Sequence, residues 1–344
     1  MKIAIAMSGG VDSSVAAALL QQAGHDVIGV TMRLVNSPGN EAAIADAREV
    51  AGRLGIPHHV VDLREVFANR VIGPFCAEYS RGRTPNPCVV CNREIKFGVL
   101  REKAAALGAE YIATGHYART DRGVLMKGAD TNKDQSYFLC RLSREQLAQA
   151  VFPVGSLTKA AVRRMAADLG LPVASRPESQ EICFIPGDDH AAFIRDQAGQ
   201  AARLGPILDE SGNVLGEHRG LAAYTVGQRR GLGIAAAEPL YVTAIRPERN
   251  AVVVGSREKT FASGLVAGDC NWISGPPACP AELKARVRYR HPEAAAVLTP
   301  LDRDTFYVKF YQPQMAVTPG QTVAFYDGET VLGGGTILRE GSEP

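Results

Sequence analysis

Three cysteines stand out as residues whose spacing suits chemistry. Cys88 and Cys91 form a Cys-x-x-Cys, and Cys183 lies in a second irregular stretch, Pro172 to Pro186. Four chemistries use such a trio. Structural zinc needs four ligands, and a second Cys-x-x-Cys is missing. A thioredoxin-like redox pair belongs at the start of a helix in a different topology. A [4Fe-4S] cluster on Cys88, Cys91 and Cys183, with one open iron position, is compatible with the count. The favoured reading is a nucleophilic pair working through a persulfide. Its terminal sulfur is more acidic and more nucleophilic than a thiol, which suits delivery of sulfur to an activated carbon. Cys76, Cys140, Cys270 and Cys279 have no such context and are expected as small hydrophobes in or near the core.

A second constellation is Ser8-Gly9-Gly10-Val11-Asp12-Ser13-Ser14, between an apolar run and an Ala/Leu-rich helical pattern. Glycines let the backbone turn sharply, and the helix start that follows offers free N–H groups and a positive dipole end to an anion. The lysine of a Walker A loop and the Gly-x-Gly-x-x-Gly of a dinucleotide site are both absent. Ser-Gly-Gly-x-Asp-Ser resembles the PP-loop of ATP pyrophosphatases, which split ATP into AMP and pyrophosphate. That resemblance implies activation of an oxygen by adenylation, followed by displacement of AMP. Asp12 is expected either to help hold Mg²⁺ on the phosphates or to charge the helix start, worth about 0.3–1 kcal/mol.

The elements that must position these groups follow from periodicity. Lys2–Met7, Val27–Met32, His58–Leu63 and Tyr111–His116 read as strands, with helical patterns at 13–23, 41–54 and 94–107 between them. Such alternation predicts an α/β fold with a doubly wound parallel sheet. Tyr79–Asn92, containing Pro85 and Pro87, is expected to be non-helical. From about Arg203 the long helical patterns vanish and short strands between turns take over. The expected organisation is a catalytic domain at 1–202, a small β-rich domain at 203–260 and a β-barrel at 261–344.

Composition narrows the class. The chain has 344 residues, 46% hydrophobic and 22% charged, with net charge +2, so bulk charge argues neither for nor against nucleic acid. No apolar run approaches the roughly 20 residues of a membrane span, and the amino terminus lacks the h-region and cleavage site of a secretory signal. Seven cysteines at irregular spacing make no disulfide framework. A cytoplasmic monomer without a membrane partner is expected.

Six motifs in order carry a family resemblance. They are 8–14 (above), Gly-Arg-Thr-Pro-Asn-Pro-Cys-Val-Val-Cys-Asn-Arg-Glu-Ile-Lys-Phe at 82–97, Ala-Thr-Gly-His-Tyr-Ala at 113–118, Asn-Lys-Asp-Gln-Ser-Tyr-Phe-Leu at 132–139, Gln-Glu-Ile-Cys-Phe-Ile at 180–185 and Thr-Val-Gly-Gln-Arg-Arg-Gly-Leu-Gly at 225–233. Together they resemble the bacterial tRNA-specific 2-thiouridylase family from Lys2 to about Leu338. The resemblance implies a PP-loop domain and ATP-dependent 2-thiolation of the wobble uridine in tRNAs for Lys, Glu and Gln. It implies that Cys91 is the nucleophile and that Cys183 carries a persulfide supplied by a cysteine desulfurase or relay protein. The two are expected to form a disulfide after turnover. ATP contacts carry over to Ala6, Met7, Ser8, Gly9, Gly10, Val11, Asp12, Ser13, Met32 and Gly115. Target-base contacts map to Asn86, Pro87 and Cys88, and further tRNA contacts to His116, Lys133, Asp134, Gln135, Arg288, Tyr289 and Gln321. Some members carry Asp where this chain has Cys88, so Cys88 is expected either as an unconventional acid/base or as a cluster ligand.

Local charge fits an RNA partner. Lys284, Arg286, Arg288 and Arg290 alternate with Leu283, Ala285, Val287 and Tyr289, which predicts four cations on one strand face. Arg81, Arg83 and Arg93 flank the Cys-x-x-Cys, where an anticodon base must flip in. Two other functions compete. A small-molecule AMP-forming ligase would have no use for Cys91 or Cys183, and a non-catalytic RNA-binding protein would consume no ATP.

Overall fold

The computed structural model describes residues 1–176, 182–185, 187, 189–198 and 203–341. The first half builds a five-stranded parallel sheet from β1 (Lys2–Ala6), β2 (Asp26–Arg33), β3 (His58–Asp62), β4 (Tyr111–Ala113) and, after the hairpin β5 (Ala118–Asp121) and β6 (Val124–Lys127), β7 (Ala150–Val151). Its order is β3-β2-β1-β4-β7. The order reverses between β1 and β4, so their carboxyl ends open the crevice where such sheets bind ligands. Strand side chains alternate between the faces. Ile3 and Ile5 join one buried cluster with α1 (Val11–Gln22) and α2 (Pro38–Leu54), while Ala4 joins another with Phe67, Ile95 and Leu100. Helices thus cover both faces, as the strand–helix alternation predicts.

Local chemistry sets the helix ends. Ser37 caps α2 by accepting from Asn40 N, Pro38 fills its first turn, and Gly55 closes it at φ 68°. Further on come α3 (Arg64–Phe67), α4 (Gly73–Ser80), α5 (Pro87–Val90), a π-wound segment (Cys91–Val99) and α6 (Leu100–Ala106). Then follow α7 (Arg144–Ala148), α8 (Lys159–Asp168) and α9 (His190–Ala198).

The second half is β-structure. The strands β8 (Gly205–Leu208), β9 (Val214–His218), β10 (Tyr241–Arg246) and β11 (Ala251–Gly255) form a small sheet around Ile207, Val242 and Val252. Six strands follow: β12 (Phe261–Trp272), β13 (Ala281–Arg286), β14 (Ala294–Pro300), β15 (Phe306–Met315), β16 (Thr322–Asp327) and β17 (Thr330–Glu340). They run in the order β12-β15-β14-β13-β16-β17, and β17 pairs back onto β12, so the sheet closes into a barrel without free edges. The β5–β6 hairpin extends this sheet through Met126↔Thr330 and Leu125↔Val331. A segment inside the first half is therefore hydrogen-bonded to the barrel. Closure brings sulfur against glycine: a Cβ on Gly334 would lie 2.5 Å from Cys140 Sγ, and one on Gly335 would lie 2.6 Å from Cys270 Sγ. Cys76 and Cys279 also pack against buried clusters, as expected of small hydrophobes.

Two expectations are corrected. The Cys-x-x-Cys is helical, because Pro87 occupies the first helical position, where its missing N–H is no loss. Asn86 caps that helix, its side chain accepting from Val89 N at 3.3 Å. The four-cation strand face does not form either. β13 ends at Arg286, whose guanidinium turns inward to Asp134 at 3.3 Å. Arg288 likewise folds back, donating to Val226 O at 2.8 Å and Thr318 Oγ1 at 2.6 Å.

Candidate active site

The phosphate loop lies at the carboxyl end of β1 and opens α1. Gly9 adopts φ 70°, and a Cβ there would lie 2.6 Å from Ala43 O, so glycine is required twice over. Ser8 N donates to Ser13 Oγ at 3.2 Å, while the Ser13 and Ser14 hydroxyls donate to Gly10 O at 3.1 and 2.8 Å. These bonds fix the turn and leave the first-turn N–H groups of α1 aimed into the crevice. Gly115, just past β4, closes the other wall. A Cβ on it would meet Ser13 N at 2.6 Å. Ala6 ends β1, Met7 N donates to Val30 O at 2.8 Å, and Met32 sits half-buried on β2.

Asp12 faces a cation. Lys159 Nζ lies 2.7 and 2.8 Å from its two carboxylate oxygens, and Tyr117 Oη donates to it at 2.8 Å. Its charge is already balanced, and a Mg²⁺ ion would have to compete with the ammonium. Arg176 donates to Gly9 O at 3.1 Å and pairs with Asp46. Neither Lys159 nor Arg176 was reachable from the sequence. They lie far along the chain in segments with no spacing signal toward the loop.

The cysteine helix is clamped from three sides. Thr84 N donates to Pro319 O at 2.9 Å, and Gln321 Nε2 donates to Thr84 O at 2.9 Å, so the barrel holds the approach to Pro87. Thr84 Oγ1 donates to Thr225 Oγ1 of the small β-sheet segment at 3.2 Å. Asn92 Nδ2 donates to Phe138 O at 3.0 Å. Cys88 lies where the cleft meets solvent while Cys91 is buried, which puts the first at the mouth of the cleft and the second in its wall.

Cys183 is presented by a tight turn in which Ile185 N donates to Ile182 O at 2.9 Å. Its neighbours are the anchors. Phe184 and Ile185 are buried, and the Phe184 ring sits 5.4 Å from Phe67, 5.5 Å from Phe75 and 5.3 Å from Phe193. Cys183 itself is exposed. Of the motif at 180–185, Gln180 and Glu181 lie outside the described residues.

Electrostatics tie the thiols together. Burial pushes the Cys91 thiol up to about 12 and Cys88 up to about 11, and the charge on Cys183 would raise both further. Crowding by the cleft desolvates the Cys183 thiol and raises it too, although part of the residue reaches solvent. Lys96 opposes the rise at all three. The structure thus brings Cys88, Cys91 and Cys183 within one another's fields. His116 joins them to the phosphate loop. It follows Gly115, its Nδ1 lies 2.7 Å from Thr114 Oγ1, and its ring centroid is 6.4 Å from that of Phe97. Burial, and then Lys96, hold its pKa well below the usual histidine value, so the imidazole is neutral at pH 7.

The other expected RNA contacts have internal partners. Asp134 is buried and accepts from Gly128 N at 2.9 Å and Ser136 N at 3.1 Å. Gln135 Oε1 accepts from Tyr117 N at 3.0 Å. The Tyr289 ring packs tilted against Phe138, centroids 4.4 Å apart, under the Arg286 guanidinium. Asn86, Pro87 and Gln321 form and brace the start of the cysteine helix, and Lys133 N closes a turn onto Asp130 O.

The donor set fits an adenine nucleotide. A helix start with free N–H groups, two close-packed glycines and a nearby ammonium suit an anionic polyphosphate. Among the described residues no three His, Cys, Asp or Glu side chains converge as a metal site. No described helix is long and apolar enough to cross a membrane.

Comparison with known proteins agrees with this geometry. A model described as the tRNA methyl transferase HUP domain matches residues 1–187, a PRC-barrel domain of the same series matches 191–256, and an aminomethyltransferase β-barrel domain matches 262–337. A tRNA-specific 2-thiouridylase of Syntrophotalea carbinolica is 52% identical, with 97% of this chain and 98% of the relative covered. That of Moorella thermoacetica is 50% identical over 97% of this chain and 98% of its own length. A solved 4-thiouridine synthetase–RNA complex with bound ATP is 16% identical with a TM-score of 0.38, covering 58% of this chain and 50% of that one, a likeness too slight to argue from. On the identity and coverage of its relatives, the chain belongs to the tRNA-specific 2-thiouridylase (MnmA) family.

Proposed function

We propose that the protein is a tRNA-uridine 2-sulfurtransferase that uses ATP, with Mg²⁺ on its phosphates, to thiolate the wobble uridine of tRNAs for Lys, Glu and Gln. The observation that carries this reading is the coupling of Cys91 and Cys183 in one cleft with Lys96, which also acts on His116, the residue after the Gly115 that packs on Ser13 of the loop. The uridine C2 oxygen attacks the α-phosphorus of ATP, forming a C–O–P ester and expelling pyrophosphate. The terminal sulfur of a Cys183 persulfide then adds to C2, and AMP leaves with the oxygen. The Cys91 thiolate attacks Cys183 Sγ and breaks the S–S bond, so the terminal sulfur stays on C2 as the thiocarbonyl. A Cys91–Cys183 disulfide results, and an external dithiol supplies the two electrons and two protons that reopen it.

The thiols rest protonated, so each attack needs a proton acceptor. Neutral His116, behind the cleft, is the group we assign as acceptor, while Cys88, itself protonated, can act only as the acid of the pair. A methyl transfer, which the name of the first matching model suggests, would need neither the adenylation loop nor the paired sulfurs. Sulfur enters from a cysteine desulfurase or relay protein that can reach exposed Cys183. We place the work in the cytosol and divide it among units at 1–202, 203–260 and 261–344, with the last contacting the tRNA. Incubation with ATP, unmodified tRNA and a persulfide donor should yield 2-thiouridine, AMP and pyrophosphate together. Undiminished 2-thiouridine from Cys91→Ser would overturn the reading.

A further inference from the structure

The winding of residues 91–99 has an electrostatic consequence. The N–H of Leu100 reaches back five residues to Ile95 O, the signature of a π-turn rather than an α-turn. Gln146 braces it, its Nε2 donating to Arg93 O at 2.8 Å and to Phe97 O at 3.1 Å. In an α-helix, position i+5 sits about 140° around the axis from i, close to the opposite side. Winding by five residues instead stacks i+5 over i. Cys91 and Lys96 are five apart. The extra residue in the turn therefore carries Lys96 round to the face of Cys91, which it shares with Cys88 one α-turn earlier.

We propose that Lys96 is a positioning residue for charge: the π-turn sets its ammonium against Cys88, Cys91 and Cys183, where it stabilises whichever sulfur becomes anionic during transfer. The inference rests on the sulfurtransferase reading and adds a residue to it. Lys96 is half-buried, and among the described residues no ion pair or hydrogen bond engages it. The neighbouring cations differ. Arg93 is paired with Glu94 at 2.8 Å, Arg70 with Glu94 at 3.5 Å, and Arg83 with Glu78 at 3.6 Å. Lys159 is taken by Asp12. Among the described residues, the charged or titratable groups acting on Cys91 are Lys96, Cys183 and Cys88, and the one acting on Cys183 is Lys96. Burial alone would keep all three thiols neutral. Each step of sulfur transfer passes through a sulfur anion: the attacking persulfide, and then the Cys91 thiolate that resolves it. An ammonium with no carboxylate partner among the described residues, set in a crowded cleft, lowers the cost of both without moving, because its strength grows as solvent is excluded.

The test reads sulfur ionisation without tRNA or turnover. Full-length protein is alkylated with iodoacetamide from about pH 6 to 10, with Cys91 and Cys183 followed separately by peptide mass spectrometry. Lys96→Met should shift both rate profiles upward by about one pH unit, a roughly tenfold loss at fixed pH, and Lys96→Arg should restore most of it. Profiles that superimpose on wild type, or an arginine variant as impaired as the methionine one, would overturn the proposal. Should Lys96→Met not fold, wild type alone decides. Anionic iodoacetate should be favoured over neutral iodoacetamide at Cys183 relative to Cys279, and equal ratios at the two would sink the idea. A wild-type protein that makes no 2-thiouridine yet shows the Lys96 effect would remove the reaction and leave the electrostatics standing.

Discussion

The phosphate loop and the cysteine cleft lie side by side, and they handle charge in opposite ways. In the loop every charge is balanced: Asp12 faces Lys159, Asp46 faces Arg176, and hydroxyls and glycines hold the backbone in one shape. In the cleft the balance is incomplete. Three thiols are held neutral by desolvation, a histidine is held neutral behind them, and among the described residues no carboxylate pairs with Lys96. The first arrangement receives an anion that arrives ready-made. The second must generate one. Rigidity serves the loop, and a surplus cation serves the cleft.

The largest expected effect separates the two regions by function. Cys91→Ser and Cys183→Ser should each cut 2-thiouridine formation at least about a thousandfold, read by nucleoside mass spectrometry. ATP binding, measured by calorimetry, should stay near wild type, because neither sulfur touches the loop. Gly9→Ala reverses the pattern. The added methyl meets Ala43 O at 2.6 Å in a left-handed backbone, so ATP affinity should fall at least about tenfold with thiol reactivity unchanged.

Smaller effects concern what braces each region. Phe184→Ala empties the aromatic pocket beside Cys183 and should cost about 3–5 kcal/mol of stability in chemical denaturation. Lys159→Ala leaves Asp12 facing only Tyr117, with a cost of about 1–3 kcal/mol, reduced because the carboxylate is partly exposed. A loss under about 0.5 kcal/mol there would mean that the loop's charge balance matters less than the cleft's surplus. The smallest effect is in pH. His116 takes up no proton in the folded protein where the unfolded chain does, so it removes stability as pH falls below about 6.5. His58 and His291, also lowered by burial, add to the same slope. His116→Gln should flatten that slope by about one proton, and an unchanged slope would place its titration elsewhere.

Local patterns made half of this molecule readable in advance. The strand–helix alternation and the Gly9-Gly10 turn depend on neighbouring residues, so periodicity and turn chemistry reach them. The two cysteine motifs were readable as chemistry but not as shape. Pro85 and Pro87 suggest a broken chain, yet a proline at the first helical position is compatible with helix once Asn86 supplies the cap. The π-turn at 91–99 has no sequence period of its own and depends on Gln146, some fifty residues away. The β5–β6 hairpin was missed because its two short strands are completed by β17, far along the chain. The cationic strip failed for a related reason. Alternation predicts a strand face, but Asp134, Thr318 and the Val226 carbonyl offer Arg286 and Arg288 partners that a sequence window cannot see.

The most direct measurement loads Cys183 with isotopically labelled persulfide sulfur and follows a single turnover with ATP and tRNA. Label should appear in 2-thiouridine at the same rate as a Cys91–Cys183 disulfide appears in the protein. Labelled 2-thiouridine formed while both cysteines remain free thiols, or a disulfide formed with no label in the RNA, would contradict the account.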